Sequence, residues 1–228
     1  MKERKASHER KSKETQIKAE LNVDGRGETK IKTPIGILDH MLELFAFHGF
    51  FDLNLEVKGD THIDIHHTNE DIGIVLGKVF KQALGEKEGI KRFGSAFAPM
   101  ESTLGHSVVD ISGRGYFSFN IENLTYPKFV KTTDNMITAG VHVDGIAGAI
   151  REFKDKVQDG YALKYLEHFL ESFAHQLGAT INVTISNPTE DLHTNLETIF
   201  KSLGMALDQA TQIDPRRKGI PSTKGIID

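Results

Sequence analysis

The chain repeats itself. Leu38-Asp39-His40-Met41-Leu42-Glu43-Leu44-Phe45-Ala46 lies over Leu166-Glu167-His168-Phe169-Leu170-Glu171-Ser172-Phe173-Ala174, 128 positions further on, with most residues identical or close. His66-x-x-x-Glu70-x-Ile72-x-x-x-Leu76-Gly77 matches His193-x-x-x-Glu197-x-Ile199-x-x-x-Leu203-Gly204 at an offset of 127. Two matches in order at nearly one offset predict an internally duplicated chain, each half folding by the same plan. The boundaries read as residues 1–90 for the first half and 91–213 for the second, with an insertion at about 121–160. An ordered or ligand-folded C-terminal arm over 214–228 follows, containing Pro215 and Pro221.

Within each half the periods alternate between two and 3.6. Ile17, Ala19, Leu21 and Val23 alternate with polar residues as in a half-buried strand, and Asp24-Gly25 reads as a turn, so a hairpin is expected to open the fold. Leu38, Met41, Leu42, Phe45 and Ala46 recur at helical spacing up to Gly49. Residues 51–57 read as a strand, 61–65 as a second short strand, and 68–84 as a helix closed by Gly85. In the second half, 107–120 holds two strand-like runs around Ser112-Gly113-Arg114-Gly115, and 179–185 alternates as a strand. The 136–150 stretch is rich in Gly and Ala and reads as an inserted loop or lid, with one helix expected over 144–157. The pattern is α+β, with βαββα-like halves.

With 38% hydrophobic and 26% charged residues, the chain has enough apolar material for a core. A balance of 28 basic to 32 acidic residues gives no nucleic-acid footprint, because the one basic cluster over 2–13 is broken by glutamates. The absence of cysteine excludes disulfides and thiolate ligands, so any metal must be held by nitrogen and oxygen. No apolar run is long enough for a membrane span or signal peptide, and a cytoplasmic location is expected.

Histidine occurs 11 times, five of them between His40 and His67. In His66-His67-x-x-Glu70, positions i and i+4 project to one side of a helix and i+1 to another, so the run offers ligands to two different ions. The second half repeats the device with His193 and Glu197, with Thr194 in the second histidine position. Imidazole and carboxylate donors suit Mn²⁺, Fe²⁺ or Zn²⁺. Arg92, Arg114, Lys201 and Ser222-Thr223-Lys224 supply forks, charges and hydroxyls of the kind that bind phosphate. Glu14 stands among basic neighbours where the first strand begins, and can serve as an acid or base.

These residues resemble the imidazoleglycerol-phosphate dehydratase family. The signatures are Leu38-Asp39-His40-Met41, Gly59-Asp60-Thr61-His62-Ile63-Asp64 with His66-His67-Thr68-x-Glu70-Asp71, Pro99-Met100, Asp110-x-Ser112-Gly113-Arg114, Phe200-Lys201 and Pro221-Ser222-Thr223-Lys224-Gly225. The resemblance covers about 190 residues and breaks off around 121–160. It implies a ribosomal protein S5 domain 2-like architecture, with a four-stranded sheet packed against helices in each half, and a homo-oligomer of 24 copies with one or two Mn²⁺ per chain at subunit contacts. The implied activity is a hydro-lyase of histidine biosynthesis converting imidazole glycerol phosphate to imidazole acetol phosphate. In the implied mechanism, metals favour the imidazolate form of the substrate ring, which expels the neighbouring hydroxyl before a proton is lost and the enol ketonises.

Carried across by position, the first ion takes His40, His67, His193 and Glu197, and the second takes His66 and Glu70. Two further histidines of the second set are Asn182 and Thr194 here, poorer donors that lower the expected affinity. His168 and His142 are candidate substitutes. The implied catalytic group is Glu14, His40, His67, Glu70 and Glu197. The implied substrate and phosphate contacts are Glu14, His48, Arg92, Arg114, Lys201, Ser222, Thr223 and Lys224. Two other readings compete with the dehydratase: a diverged one-metal lyase or isomerase acting on another phosphorylated ligand, and a non-catalytic phosphate-ligand-binding assembly protein.

Overall fold

The structure is a computed structural model that describes residues 3–124 and 143–227. The first half runs β1 (Lys5–Lys11), β2 (Thr15–Asn22), β3 (Thr29–Lys32), α1 (Gly36–His48), β4 (Asp52–Gly59) and α2 (Ile65–Leu84). The second runs β5 (Phe93–Met100), β6 (Thr103–Asp110), β7 (Tyr116–Glu122), α3 (Val143–Asp155), α4 (Leu163–Leu177), β8 (Thr180–Ser186) and α5 (Leu192–Thr211). The sheet orders are β1-β2-β4-β3 and β5-β6-β8-β7, the same topology twice, each with one parallel pair at its edge. The α+β duplication expected from the repeat is therefore present, with three strands rather than a single hairpin ahead of the first repeated helix.

Three local expectations are corrected. The opening hairpin is β1 with β2, and its turn lies at residues 12–14, where the Ser12 hydroxyl accepts from the amides of Glu14 and Thr15. Asp24-Gly25 leads instead to β3, which pairs in parallel with β4. Strand β1 escapes the hydrophobic pattern because one face is exposed and the other, Ala6, His8 and Arg10, is only half-buried. Residues 61–63 form a turn rather than a strand, because Asp64 caps α2 and accepts from the His66 amide at 2.9 Å. The predicted 144–157 helix corresponds to α3, whereas residues 125–142, including His142, lie outside the described residues.

The helices lie between the two sheets. Helices α1 and α2 cover the first sheet, α4 and α5 cover the second, and across the middle α1 meets α5 while α2 meets α4. Phe45, Phe51, Phe80 and Phe173 fill this seam with mostly edge-on ring contacts. Glycines let the helices approach. A Cβ at Gly73 or Gly77 of α2 would stand 2.4 or 2.6 Å from the Phe169 or Phe173 carbonyl of α4, and one at Gly204 of α5 would stand 2.4 Å from the Phe45 carbonyl of α1. Asp191 caps α5 as Asp64 caps α2, 127 positions apart, so the first turns bearing His66 and His193 start from equivalent anchors.

A candidate metal centre between the halves

The duplication brings one histidine of the first half to a histidine and a glutamate of the second. His40 stands on α1, and His193 and Glu197 stand one turn apart at the start of α5; their donor atoms all lie within 4.8 Å of one another. Nε2 of His40 is 3.3 Å and Nε2 of His193 is 3.0 Å from the same Glu197 oxygen, Oε1. The two rings stack with centroids 5.1 Å apart. The other Glu197 oxygen accepts from Nζ of Lys201, one turn further along α5. Burial works against ionisation of Glu197, but the Lys201 ammonium and the bonds from His40 and His193 outweigh it and hold the carboxyl below its ordinary range. It is thus a carboxylate at neutral pH, as a metal ligand must be.

The donor set fits a first-row divalent ion: two imidazole nitrogens and one carboxylate converge on a point that solvent reaches past the half-exposed rings. Burial and the nearby Lys201 lower the pKa of His48, at the end of α1, against the opposing pull of Glu197.

The other predicted ligands gather at the start of α2. His66 Nδ1 lies 2.8 Å from Nδ1 of His168 on α4, and its Nε2 lies 3.5 Å from Glu70 Oε2. His67 meets the His66 ring edge-on at 5.8 Å between centroids and places its Nδ1 3.7 Å from Glu14 on the β1–β2 turn. Among the described residues, the buried side-chain polar atoms without a partner are Asp60 Oδ1 and Thr68 Oγ1, both beside this stretch. Asn182 faces outward from the second sheet, where its Oδ1 accepts from Ser118 at 2.5 Å, and the Thr194 hydroxyl donates to Asp191 at 2.7 Å.

The phosphate set does not converge within one chain. Lys201 belongs to the Glu197 cluster. Arg92 makes a two-point bond to Asp110, at 2.6 and 3.1 Å, and reaches the Pro221 carbonyl, which fastens the C-terminal arm. Ser222 is half-buried there, and Thr223 and Lys224 are exposed. Arg114 is exposed on the turn before β7. Because the Arg92 amide bonds to Ala210 near the end of α5, this group and His193 stand at opposite ends of a helix rising 1.5 Å per residue, about 25 Å apart.

Two elements of the surroundings escaped the sequence. Asp71 binds Arg10 at 2.9 Å and Thr15 at 2.5 Å, tying the Glu14 turn to α2. Buried Tyr161 donates to Asn69 at 2.8 Å, and Asn69 donates to the Tyr165 carbonyl, which locks the start of α4 against the His66 turn. The available signal for the first was an aspartate inside the apolar spacing of α2; the second had none.

In sequence and in fold the chain is similar to proteins of one family. The model of the imidazoleglycerol-phosphate dehydratase family matches residues 33–142. Relatives bearing that name include one from Pelobacter propionicus, 43% identical over 98% of this chain and 99% of its own length, and one from Geobacter metallireducens, 44% identical over 97% and 98%. Among solved structures, the Staphylococcus aureus imidazoleglycerol-phosphate dehydratase superposes with a TM-score of 0.68 at 28% identity, covering 92% of this chain and 99% of that one. The Pyrococcus furiosus enzyme in complex with (S)-C348 superposes with a TM-score of 0.69 at 32% identity, covering 96% and 99%.

Proposed function

The chain belongs to the imidazoleglycerol-phosphate dehydratase family, and on that premise we propose that it is a hydro-lyase of histidine biosynthesis that converts imidazole glycerol phosphate to imidazole acetol phosphate. The observation that carries the reading at the level of residues is the His40–His193–Glu197 cluster. These three would hold the metal, with Mn²⁺ as the favoured ion, and His67 would join them from a neighbouring copy. The bound ion supplies Lewis-acid stabilisation of negative charge on the substrate's imidazole. Lys201 keeps Glu197 ionised and poised for that ion. Glu14, exposed 3.7 Å from His67, is the group placed to take or return a proton beside the ring. Ser222, Thr223, Lys224 and Arg114 bind the phosphate, and Arg92 holds the arm.

The site in this reading is completed between copies, because one chain keeps its imidazole cluster and its arm at opposite ends of α5. Supporting this, the outer face of the second sheet presents Phe93, Phe97 and Tyr116, each more than half exposed, whereas that of the first carries Lys18, Glu20, Lys30 and Glu56. An assembly of 24 copies in the cytoplasm completes the proposal. Among the described residues, no helix is long and apolar enough to cross a membrane.

The test is turnover of imidazole glycerol phosphate by the assembled protein with Mn²⁺, followed by appearance of the ketone. Glu197→Gln is expected to lower the rate by at least about 100-fold, since even outer partners of metal ligands cost 10–100-fold. A variant retaining most of the wild-type rate would remove this cluster from the reaction.

A further inference from the structure

The helix that carries His193 and Glu197 begins in a turn closed by its own residues. Asp191 Oδ2 accepts from the amide of Thr194 at 3.1 Å and from its hydroxyl at 2.7 Å, and the Asn195 side chain bonds both backbone groups of Thr189, at 3.0 and 2.8 Å. These bonds shape the turn without tying it to another element. The seam at Gly204 lies roughly 16 Å further along α5 and leaves the first turn unset. Gln158 makes the tie. Its Nε2 donates to the other Asp191 oxygen, Oδ1, at 2.6 Å, and its Oε1 accepts at 2.8 Å from the amide of Leu192, the residue before His193. The geometry points to Gln158 as a positioning residue of the His40–His193–Glu197 centre, acting through the first turn of α5.

Gln158 is itself held. It exchanges both backbone hydrogen bonds with Tyr161, at 2.9 Å each, around Asp159-Gly160, whose φ values of 52° and 77° are positive as a type I′ turn requires. From this turn two helix starts are reached: Gln158 binds the first turn of α5, and the buried Tyr161 hydroxyl donates to Asn69 of α2 at 2.8 Å. Upstream, Phe153 of α3 is buried, and Lys154 pairs with Glu167 of α4 and lies over the Phe119 ring. Lys156 adds a bond to the Glu190 carbonyl at 3.1 Å. Gln158 falls in the 121–160 insertion, where the family resemblance breaks off, so the device belongs to this chain's own departure from that pattern.

An amide side chain is the group this place calls for, because the turn offers one donor and one acceptor side by side. The Leu192 amide is one of the donors that a helix start leaves without an intrahelical partner, and Asp191 is already engaged with Thr194. With that amide closed, the first turn resists fraying, and His193 keeps its stack on His40 and its 3.0 Å approach to Glu197. Partners that orient metal ligands from behind typically matter about 10–100-fold in affinity or rate. The inference rests on the metal reading of this cluster proposed above.

The experiment titrates the intact assembly with Co²⁺, read by the visible absorption of the bound ion, and follows the class of sites that Glu197→Gln removes. Gln158→Glu sets a second carboxylate against Asp191 and is expected to weaken that class by at least about tenfold, with kcat falling and KM little changed. Adding Asp191→Asn exchanges donor and acceptor, restores both bonds and keeps a good cap, so the double variant should recover most of the affinity, the spectrum and the rate. Unchanged Co²⁺ binding in Gln158→Glu overturns the inference, and with a lowered urea midpoint it assigns Gln158 to stability alone. A double variant no better than the single one also overturns it. If Glu197→Gln removes no class, the centre falls and the inference with it. Loss and recovery of Co²⁺ binding in a protein that does not turn over imidazole glycerol phosphate sustain the inference and overturn the proposed function instead. Should Gln158→Glu misfold, Gln158→Met keeps the length and removes both bonds: weakened Co²⁺ binding supports the role, and full retention counts against it.

Discussion

Asp52, at the start of β4, shows how much one carboxylate can fix. It accepts from the amides of Arg26 and Glu28 at 2.7 and 3.1 Å and from the Asn22 side chain at 3.0 Å, and so pins the loop that carries the chain across to β3. Burial disfavours its charge, but these donors outweigh burial and place its pKa below the ordinary 3.8. A carboxyl with a depressed folded pKa stabilises fully above its unfolded value, and the contribution fades as pH falls through the folded one. Asp52→Asn is therefore expected to cost about 1–3 kcal/mol at pH 7, and the deficit should narrow below about pH 4. Urea unfolding at pH 7 and pH 3.5 measures both; a deficit that does not change with pH would assign the loss to shape rather than charge. At the candidate centre the legible residues were those bound by local geometry. The i, i+4 spacing of His193 and Glu197 is legible in the sequence, whereas their grouping with His40 follows from the family resemblance. The orientation of His67 toward Glu14 was not legible, because it depends on the Arg10–Asp71–Thr15 link between elements far apart in sequence.

At the level of elements, the helix seams are set by residues with no side chain. Gly77 of α2 faces the Phe173 carbonyl, and Gly204 of α5, its counterpart in the repeat, faces that of Phe45. Replacing either with valine forces the paired helices apart against a dense aromatic core. We expect Gly204→Val to lower stability by at least about 1–3 kcal/mol, read as a lower unfolding midpoint in urea, while Gly36→Val, where a Cβ meets nothing within 4 Å, should not produce a comparable loss through crowding. The core helices and β2, β4 and β8 were legible because each buries one face completely and shows its period. Strands β1 and β3 were not, since edge strands bury little and their sequences, Lys5–Lys11 and Thr29–Lys32, are mostly polar, with Ala6 and Ile31 as their apolar residues. The turn at 61–63 was mistaken for a strand because His62 and Asp64 alternate with Ile63 and Ile65 across what is in fact a capped helix start.

For the whole molecule, the separation of the imidazole cluster from the arm makes a prediction about mixtures. Glu197→Gln and the arm variant Ser222→Ala with Lys224→Ala should each be impaired alone. Coassembled at equal amounts, they should recover up to about a quarter of the wild-type rate, the share of contacts that pair an intact cluster with an intact arm. A mixture no more active than the average of its parents would place both sets on one chain's site. The layout also bears on how such a molecule can be divided. The cluster takes one imidazole from the first half and an imidazole with a carboxylate from the second, so neither half owns it. A half-length polypeptide of this design would be chemically mute in isolation, because the imidazole of one half lacks the imidazole and carboxylate of the other.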